Sequence, residues 1–263
     1  MKTLPLGQFV PGDSPVHRFD PRVKILCALL LSIVILNAGL AESLAVTMFL
    51  LAAAALSGLS ARRIAEALKP LAWFFAILFF LHLFFTDGRP ILPSLGAVTY
   101  EGLERGLSVT WQFVALVVSA AILTMTTAPS ELVGGLEKLL RPLNRIGIPS
   151  HDIAIMVSVS LRFVPTLLEE VERMKEAQVA RGADFGSGPI IGRLKKMATL
   201  VIPLILCTFR RADELALAME GRGYHRGPRT YLRELRFTRV DYAALFAFTA
   251  FLIGIGIMRF LPF

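Results

Sequence analysis

The residues best suited to chemistry in this chain are two arginines set among small neighbours, in Ala180-Arg181-Gly182 and Gly221-Arg222-Gly223. A guanidinium offers five donors in a planar fork that suits a carboxylate-bearing pocket, and small flanking residues let such a tip enter a groove. Both tripeptides close amphipathic helices. Each is followed by an aromatic and a Gly-Pro: Phe185 with Gly188-Pro189, and Tyr224 with Gly227-Pro228. Ordinary helix termination also accounts for an Arg-Gly, because Arg meets the negative end of the macrodipole and Gly serves just past a C-terminus. Two copies with the same punctuation point to a paired surface for a paired partner. Both readings stand at this level.

Other reactive groups are sparse. His82 lies in Phe79-Phe80-Leu81-His82-Leu83-Phe84-Phe85. An ionisable group inside a span invites a functional role, while a neutral packed or interfacial histidine is the plainer alternative. His17, His151 and His225 show no ligand spacing, so no metal site is expected. Cys27 and Cys207 sit in apolar runs and read as small hydrophobes rather than a disulfide. No Gly-x-Ser-x-Gly, His-Glu-x-x-His or Gly-x-x-x-x-Gly-Lys-Ser/Thr pattern occurs, and no cofactor is expected. The spans lack the carboxylates of an ion-coupled carrier. Active transport would therefore draw its energy from another polypeptide. A membrane-embedded enzyme would have to use Asp87, Glu101 and Glu104, the clustered acids of one loop.

These groups must be positioned by helices built for lipid. The chain has 263 residues, 55 % of them hydrophobic, and a mean hydropathy of +0.63, too apolar for an ordinary soluble domain. Leu107–Met125 is uncharged and long enough to cross a hydrocarbon core of about 30 Å. Val23–Leu40, Ser43–Leu59, Pro70–Thr86 and Tyr242–Leu261 are four further spans, giving five. Lys24 and Arg259 lie near span ends, where they can snorkel to water. Pro5, Gly7, Pro11, Asp13, Pro15 and Asp20 interrupt the N-terminal residues before any apolar run, so no cleavable signal peptide is expected.

The net charge of +8 is spread among acids rather than gathered, which speaks against nucleic acid as a partner. Most Lys and Arg residues fall between Pro129 and Arg239, with others at Lys2, Arg18, Arg22 and Lys24 and at Arg62, Arg63 and Lys69. The positive-inside rule then places the N-terminus, loop 60–69 and segment 129–239 in the cytoplasm, and an odd span count leaves the C-terminus outside. The expected fold is an all-α integral membrane protein in three parts. Residues 1–126 form a tail and four spans, 127–238 a cytoplasmic domain of long amphipathic coupling helices, and 239–263 the last span.

Within 127–238, residues 130–145 read as a short amphipathic helix. A second helix opens at Pro149-Ser150 and ends at Arg181-Gly182, with Val164, Leu167, Leu168, Val171 and Met174 on one stripe. A third ends at Arg222-Gly223 and carries the apolar run Thr199–Phe209, too short to span and so buried or interfacial. Both arms share an internal proline, Pro165 or Pro203. Asp20-Pro21-Arg22 reads as a helix start, with Asp20 as N-cap.

The chain resembles the transmembrane T component of energy-coupling factor (ECF) transporters. The resemblance rests on Phe9-Val10-Pro11-Gly12-Asp13-Ser14 through Asp20-Pro21-Arg22-Val23-Lys24, on Leu161-Arg162-Phe163-Val164-Pro165, and on the two Arg-Gly motifs. It implies a coupling scaffold with no catalysis of its own, in a prokaryotic cell membrane, serving vitamin or metal-ion uptake. Its implied partners are two ABC-type ATPases, alike or different, and a membrane-embedded substrate-binding S component. The N-terminal stretch looks like the T components shared among several S components. Arg181 and Arg222 would each dock on one ATPase, and the stripe 164–174 would meet the S component. The family motif is Ala-Arg-Gly, from which Gly221-Arg222-Gly223 departs. A stand-alone secondary transporter or channel is the competing reading, and it would need a polar pathway that the spans do not show.

Overall fold

A computed structural model of the chain describes residues 12, 14–92, 95–140, 150–183, 190–224 and 237–260. In chain order the helices are α1 (Pro15–Arg18), α2 (Pro21–Leu36), α3 (Leu40–Leu56), α4 (Ala61–Leu68), α5 (Ala72–Phe85), α6 (Tyr100–Thr126), α7 (Pro129–Leu140), α8 (Ser150–Ala180), α9 (Ile190–Gly221) and α10 (Arg239–Phe260). The all-α class holds. Its one departure among the described residues is a two-stranded antiparallel hairpin, β1 (Pro90–Leu92) with β2 (Leu95–Thr99), inside the segment expected to be a loop. The chain divides into two compact units, residues 1–151 with 235–263, and residues 152–234.

In the first unit, Leu31, Ile35, Val46, Leu50, Ala115, Ile122, Met125, Phe248 and Ile255 form one buried cluster drawn from α2, α3, α6 and α10. Phe49 stacks on Phe251 with centroids 4.3 Å apart, tying α3 to α10. Between α6 and α3, Trp111 Nε1 donates to Thr47 Oγ1 at 3.0 Å, satisfying a donor that hydrocarbon would leave unpaired. The outward faces carry large apolar residues such as Leu29, Leu44, Trp73, Phe85 and Phe246, as expected of helices whose solvent is lipid.

Among the described residues, three helical segments are long and apolar enough to cross a bilayer: Ala61–Phe85, Tyr100–Thr126 and Arg239–Arg259. The other two apolar helices, α2 with 16 residues and α3 with 17, rise about 24–26 Å at 1.5 Å per residue, short of a full hydrocarbon core. Two boundaries differ from the sequence expectation. Residues 61–68 are helical and run through a 3-10 turn (Lys69–Leu71) into α5, because Pro70 sits in that turn, where a proline is tolerated. Helix α6 starts at Tyr100, ahead of Leu107, because Thr99 caps it by accepting the Gly102 N–H at 3.0 Å.

The tightest helix pair is α5 against α6. Gly102 and Gly106 are both buried and four residues apart, the small-xxx-small pattern that lets membrane helices approach closely. A Cβ added at Gly106 would lie 3.1 Å from the Phe79 carbonyl oxygen, and one at Gly102 would lie 3.0 Å from those of His82 and Leu83. Gly106→Leu is therefore expected to push α5 from α6 at about 1–3 kcal/mol. Thermal unfolding in detergent checks this, with Leu107→Ala as the control because Leu107 is outward and exposed.

The second unit is built from α8 and α9, of 31 and 32 residues, each running through its internal proline, Pro165 or Pro203. Among the described residues 152–224, Ala154 is the only buried side chain. Amphipathic helices of this length owe their stability to burying an apolar face. Here those faces are largely uncovered.

Candidate functional site

Both helices of the second unit end in the same geometry. Gly182 and Gly223 have φ of +86° and +73°, the left-handed region that glycine enters without a Cβ penalty. At the end of α8, the Gly182 N–H donates to Val179 O at 2.9 Å and the Ala183 N–H to Gln178 O at 3.0 Å. At the end of α9, the Gly223 N–H donates to Glu220 O at 2.8 Å and the Tyr224 N–H to Met219 O at 2.9 Å. These are paired Schellman caps, which satisfy the last carbonyls and stop the helix abruptly. The helix-termination reading is thus correct for the glycines.

It does not account for the arginines. Each is the last residue before the left-handed glycine, and Ala180, Arg181, Gly182, Gly221, Arg222 and Gly223 are all exposed. No hydrogen bond or ion pair joins either guanidinium to another described residue. A Cβ built on Gly182, Gly221 or Gly223 meets no atom within 4 Å, so the tips stand in open space. Each one is a rigidly terminated rod end carrying an uncommitted planar cation.

The stripe on α8 is less open than its pattern suggests. Val164, Leu167, Val171 and Met174 are half-buried, while Leu168 is exposed. The larger uncovered apolar surface lies elsewhere in this unit. Met156, Val157 and Leu161 are exposed on the first half of α8, and Val201, Ile202, Ile205, Leu206, Phe209 and Leu217 on α9. The run Thr199–Phe209 was expected to be buried or interfacial; within the chain it is open. Its signal was in the sequence, since a run too short to span must find a partner.

A second constellation was not anticipated as a unit. In the first unit, the turn entering α2, the end of α6 and the start of α10 meet in a buried polar cluster. Thr238 and Asp241 cap α10 reciprocally: the Thr238 N–H and Oγ1 both donate to Asp241 Oδ2 at 2.7 Å. The other carboxylate oxygen, Oδ1, accepts the Asp20 N–H at 2.7 Å. Asp20 is the N-cap of α2 as expected, accepting the Arg22 N–H at 2.9 Å, and Pro21 opens the helix. The Arg22 guanidinium lies 5.5 Å from the Phe237 ring centroid.

Lys24 departs from expectation. It does not snorkel; it is 7 % exposed, and its Nζ donates to Thr126 O at 3.0 Å, Thr127 Oγ1 at 3.2 Å and His17 O at 3.2 Å. The C-terminal carbonyls of α6 carry the negative end of that helix's dipole, and they hold the ammonium inside. The residues 20–24 that carry the resemblance thus join three chain segments.

The remaining candidates have local partners. His82 is half-buried in α5, its Nδ1 3.0 Å from Leu78 O in the same helix. Glu101 Oε2 accepts the Arg89 N–H at 2.7 Å, which closes the hairpin segment. Cys27 and Cys207 are free and half-buried. No cluster of His, Cys, Asp or Glu able to hold a metal occurs among the described residues. Phe9–Pro11, Asp13, residues 141–149, Phe185, Gly188-Pro189, His225 and Gly227-Pro228 lie outside the described residues.

A family described as cobalt transport protein (CbiQ) matches residues 12–232. A protein of Thermosediminibacter oceani named energy-coupling factor transporter transmembrane protein EcfT is 40 % identical, covering 99 % of this chain and 100 % of the relative. Proteins of the same name from Heliobacterium modesticaldum and Bacillus subtilis are 42 % and 39 % identical, covering 98 % and 93 % of this chain and 98 % and 94 % of those relatives.

Proposed function

Because the chain belongs to this family of energy-coupling factor transporter transmembrane proteins, we propose that it is the coupling scaffold of an ATP-driven importer. In this reading the second unit transmits motion and catalyses nothing. Two ABC-type ATPases grip Arg181 and Arg222, one each, through carboxylate-bearing grooves. A membrane-embedded S component carries the substrate, a vitamin or metal ion, and rests on the apolar faces of α8 and α9, including the stripe Val164 to Met174. Closure of the ATPase pair on ATP moves the tips, and the long helices pass that movement to the S component. The N-terminus and residues 127–238 are cytoplasmic, and the C-terminus is outside.

One observation carries the reading. Two long helices end in identical Schellman caps with bare guanidiniums, and their apolar faces lie uncovered along the same unit. Charged tips for one kind of partner and apolar flanks for another are what a coupling element requires. Affinity purification of the tagged chain in mild detergent tests it. The expected result is co-isolation of an ATPase pair and a small apolar membrane protein, with uptake in proteoliposomes only when all are present. Uphill transport or ATP hydrolysis by the chain alone would refute it.

The departure at the second tip gives a further prediction. Gly221 closes α9 with no atom within 4 Å of a built Cβ and needs no left-handed φ. Gly221→Ala is expected to firm the tip by about 0.4–1 kcal/mol through lower unfolded-state entropy. The readout is slower amide exchange at Arg222 and Gly223, with ATPase binding kept or tightened.

A further inference from the structure

The first unit contains an open cavity of about 260 Å³, walled by α2, α3, α6 and α10 beside α1. Val23, Cys27, Leu31, Ala53, Ile122 and Phe248 form much of its wall, and the exposed residues Ala52 and Leu56 belong to its lining. Two of its few polar residues are already engaged. The Lys24 ammonium donates to three acceptors, and the Thr126 hydroxyl donates to Ile122 O at 2.7 Å. Such a wall suits an apolar ligand and gives little hold to an ion or a sugar. Water gains little there, since a buried water needs two to four polar partners.

We propose that this cavity is a binding site for one acyl chain of a membrane phospholipid. Two observations select that occupant. The unit is membrane-embedded, and the faces of α2 and α3 flanking the cavity expose Leu26, Leu29, Leu30 and Leu51, so acyl chains are the molecules at its mouth. The cavity exceeds the roughly 150 Å³ that takes a benzene molecule, which leaves room for a longer hydrocarbon segment.

The full chain carrying Cys207→Ser, delipidated in detergent and then supplied with dioleoyl phosphatidylglycerol, provides the test. Native mass spectrometry should show one phospholipid retained per chain. N-ethylmaleimide should alkylate Cys27, and the lipid should slow that reaction several-fold, whereas glycerol phosphate should not. Ala53→Phe and Ala28→Leu, two independent fillings of the cavity, should each weaken retention at least about tenfold, or about 1.4 kcal/mol. Leu44→Ala, exposed and outside the cavity lining, should leave it unchanged. The proposal is overturned by equal retention in all variants or by retention of detergent alone. It is equally overturned if lipid leaves the rate of Cys27 alkylation unchanged.

Discussion

Replacing Arg181 and Arg222 together by Glu is expected to abolish co-purification of the ATPases and all uptake, while leaving the chain itself folded. Both side chains are exposed, so the intrinsic cost should stay within about 0.5 kcal/mol. At a docked interface the same guanidinium would be desolvated against a carboxylate, where truncating one partner costs about 2–5 kcal/mol. Each single Arg→Ala change should then weaken ATPase binding roughly 30-fold or more. Binding by the double mutant should be undetectable. Gly182→Ala separates the two readings of the motif. It keeps the guanidinium but forces a Cβ into φ +86°, so it should fray the end of α8 by about 1 kcal/mol and affect docking only mildly. Should Gly182→Ala disable assembly while the double Glu mutant assembles normally, the arginines would be mere helix punctuation.

Lys24→Met should produce the largest loss of stability in the first unit. The substitution removes the donor shared by His17 O, Thr126 O and Thr127 Oγ1. It also removes the buried cation that attracts Asp241, 1 % exposed, while Asp20 keeps the Arg22 Nε at 3.8 Å. Breaking a buried charge network by removing one member costs about 3–5 kcal/mol. At roughly 2–4 °C per kcal/mol for a domain of this size, the melting temperature in detergent should fall by on the order of 10 °C. A snorkelling lysine would make the same change nearly neutral, so a shift under about 2 °C would remove Lys24 from the cluster.

The effects of these two substitutions separate the roles of the units. In the first, ionised groups are spent on holding helices together. Helix α2 is anchored at its N-terminus to both α6 and α10. In the second, the ionised groups at the tips remain unspent and the apolar faces uncovered. In the proposed role, a module that moves between partners keeps its contacts for them. Its uncovered apolar flanks also make it the part of the chain most prone to aggregate in isolation.

Much of this was legible in the chain. Apolar runs of spanning length, the amphipathic periodicity of 150–180 and 190–221, the caps at Asp20 and at both Arg-Gly ends, and the unpaired cysteines all follow from local rules, because hydrophobic spacing and terminal residues act within one or two turns. Other features were present and overlooked. Gly102-Leu103-Glu104-Arg105-Gly106 announces a close helix contact, and Thr238-x-x-Asp241 announces a capped start for α10.

What the sequence by itself determined was the helical class, the membrane setting, and the place and chemistry of the two arginine tips. Each depends on residues close together in the chain. Tertiary structure alone decided that Lys24 stays inside, since its acceptors at Thr126 and Thr127 lie about a hundred residues away. It also decided that Asp241 serves α2 as well as α10, and that a cavity opens beside Cys27. Burial, pairing and cavities arise where distant segments meet, and the spacing of residues along one helix carries no record of what will pack against it.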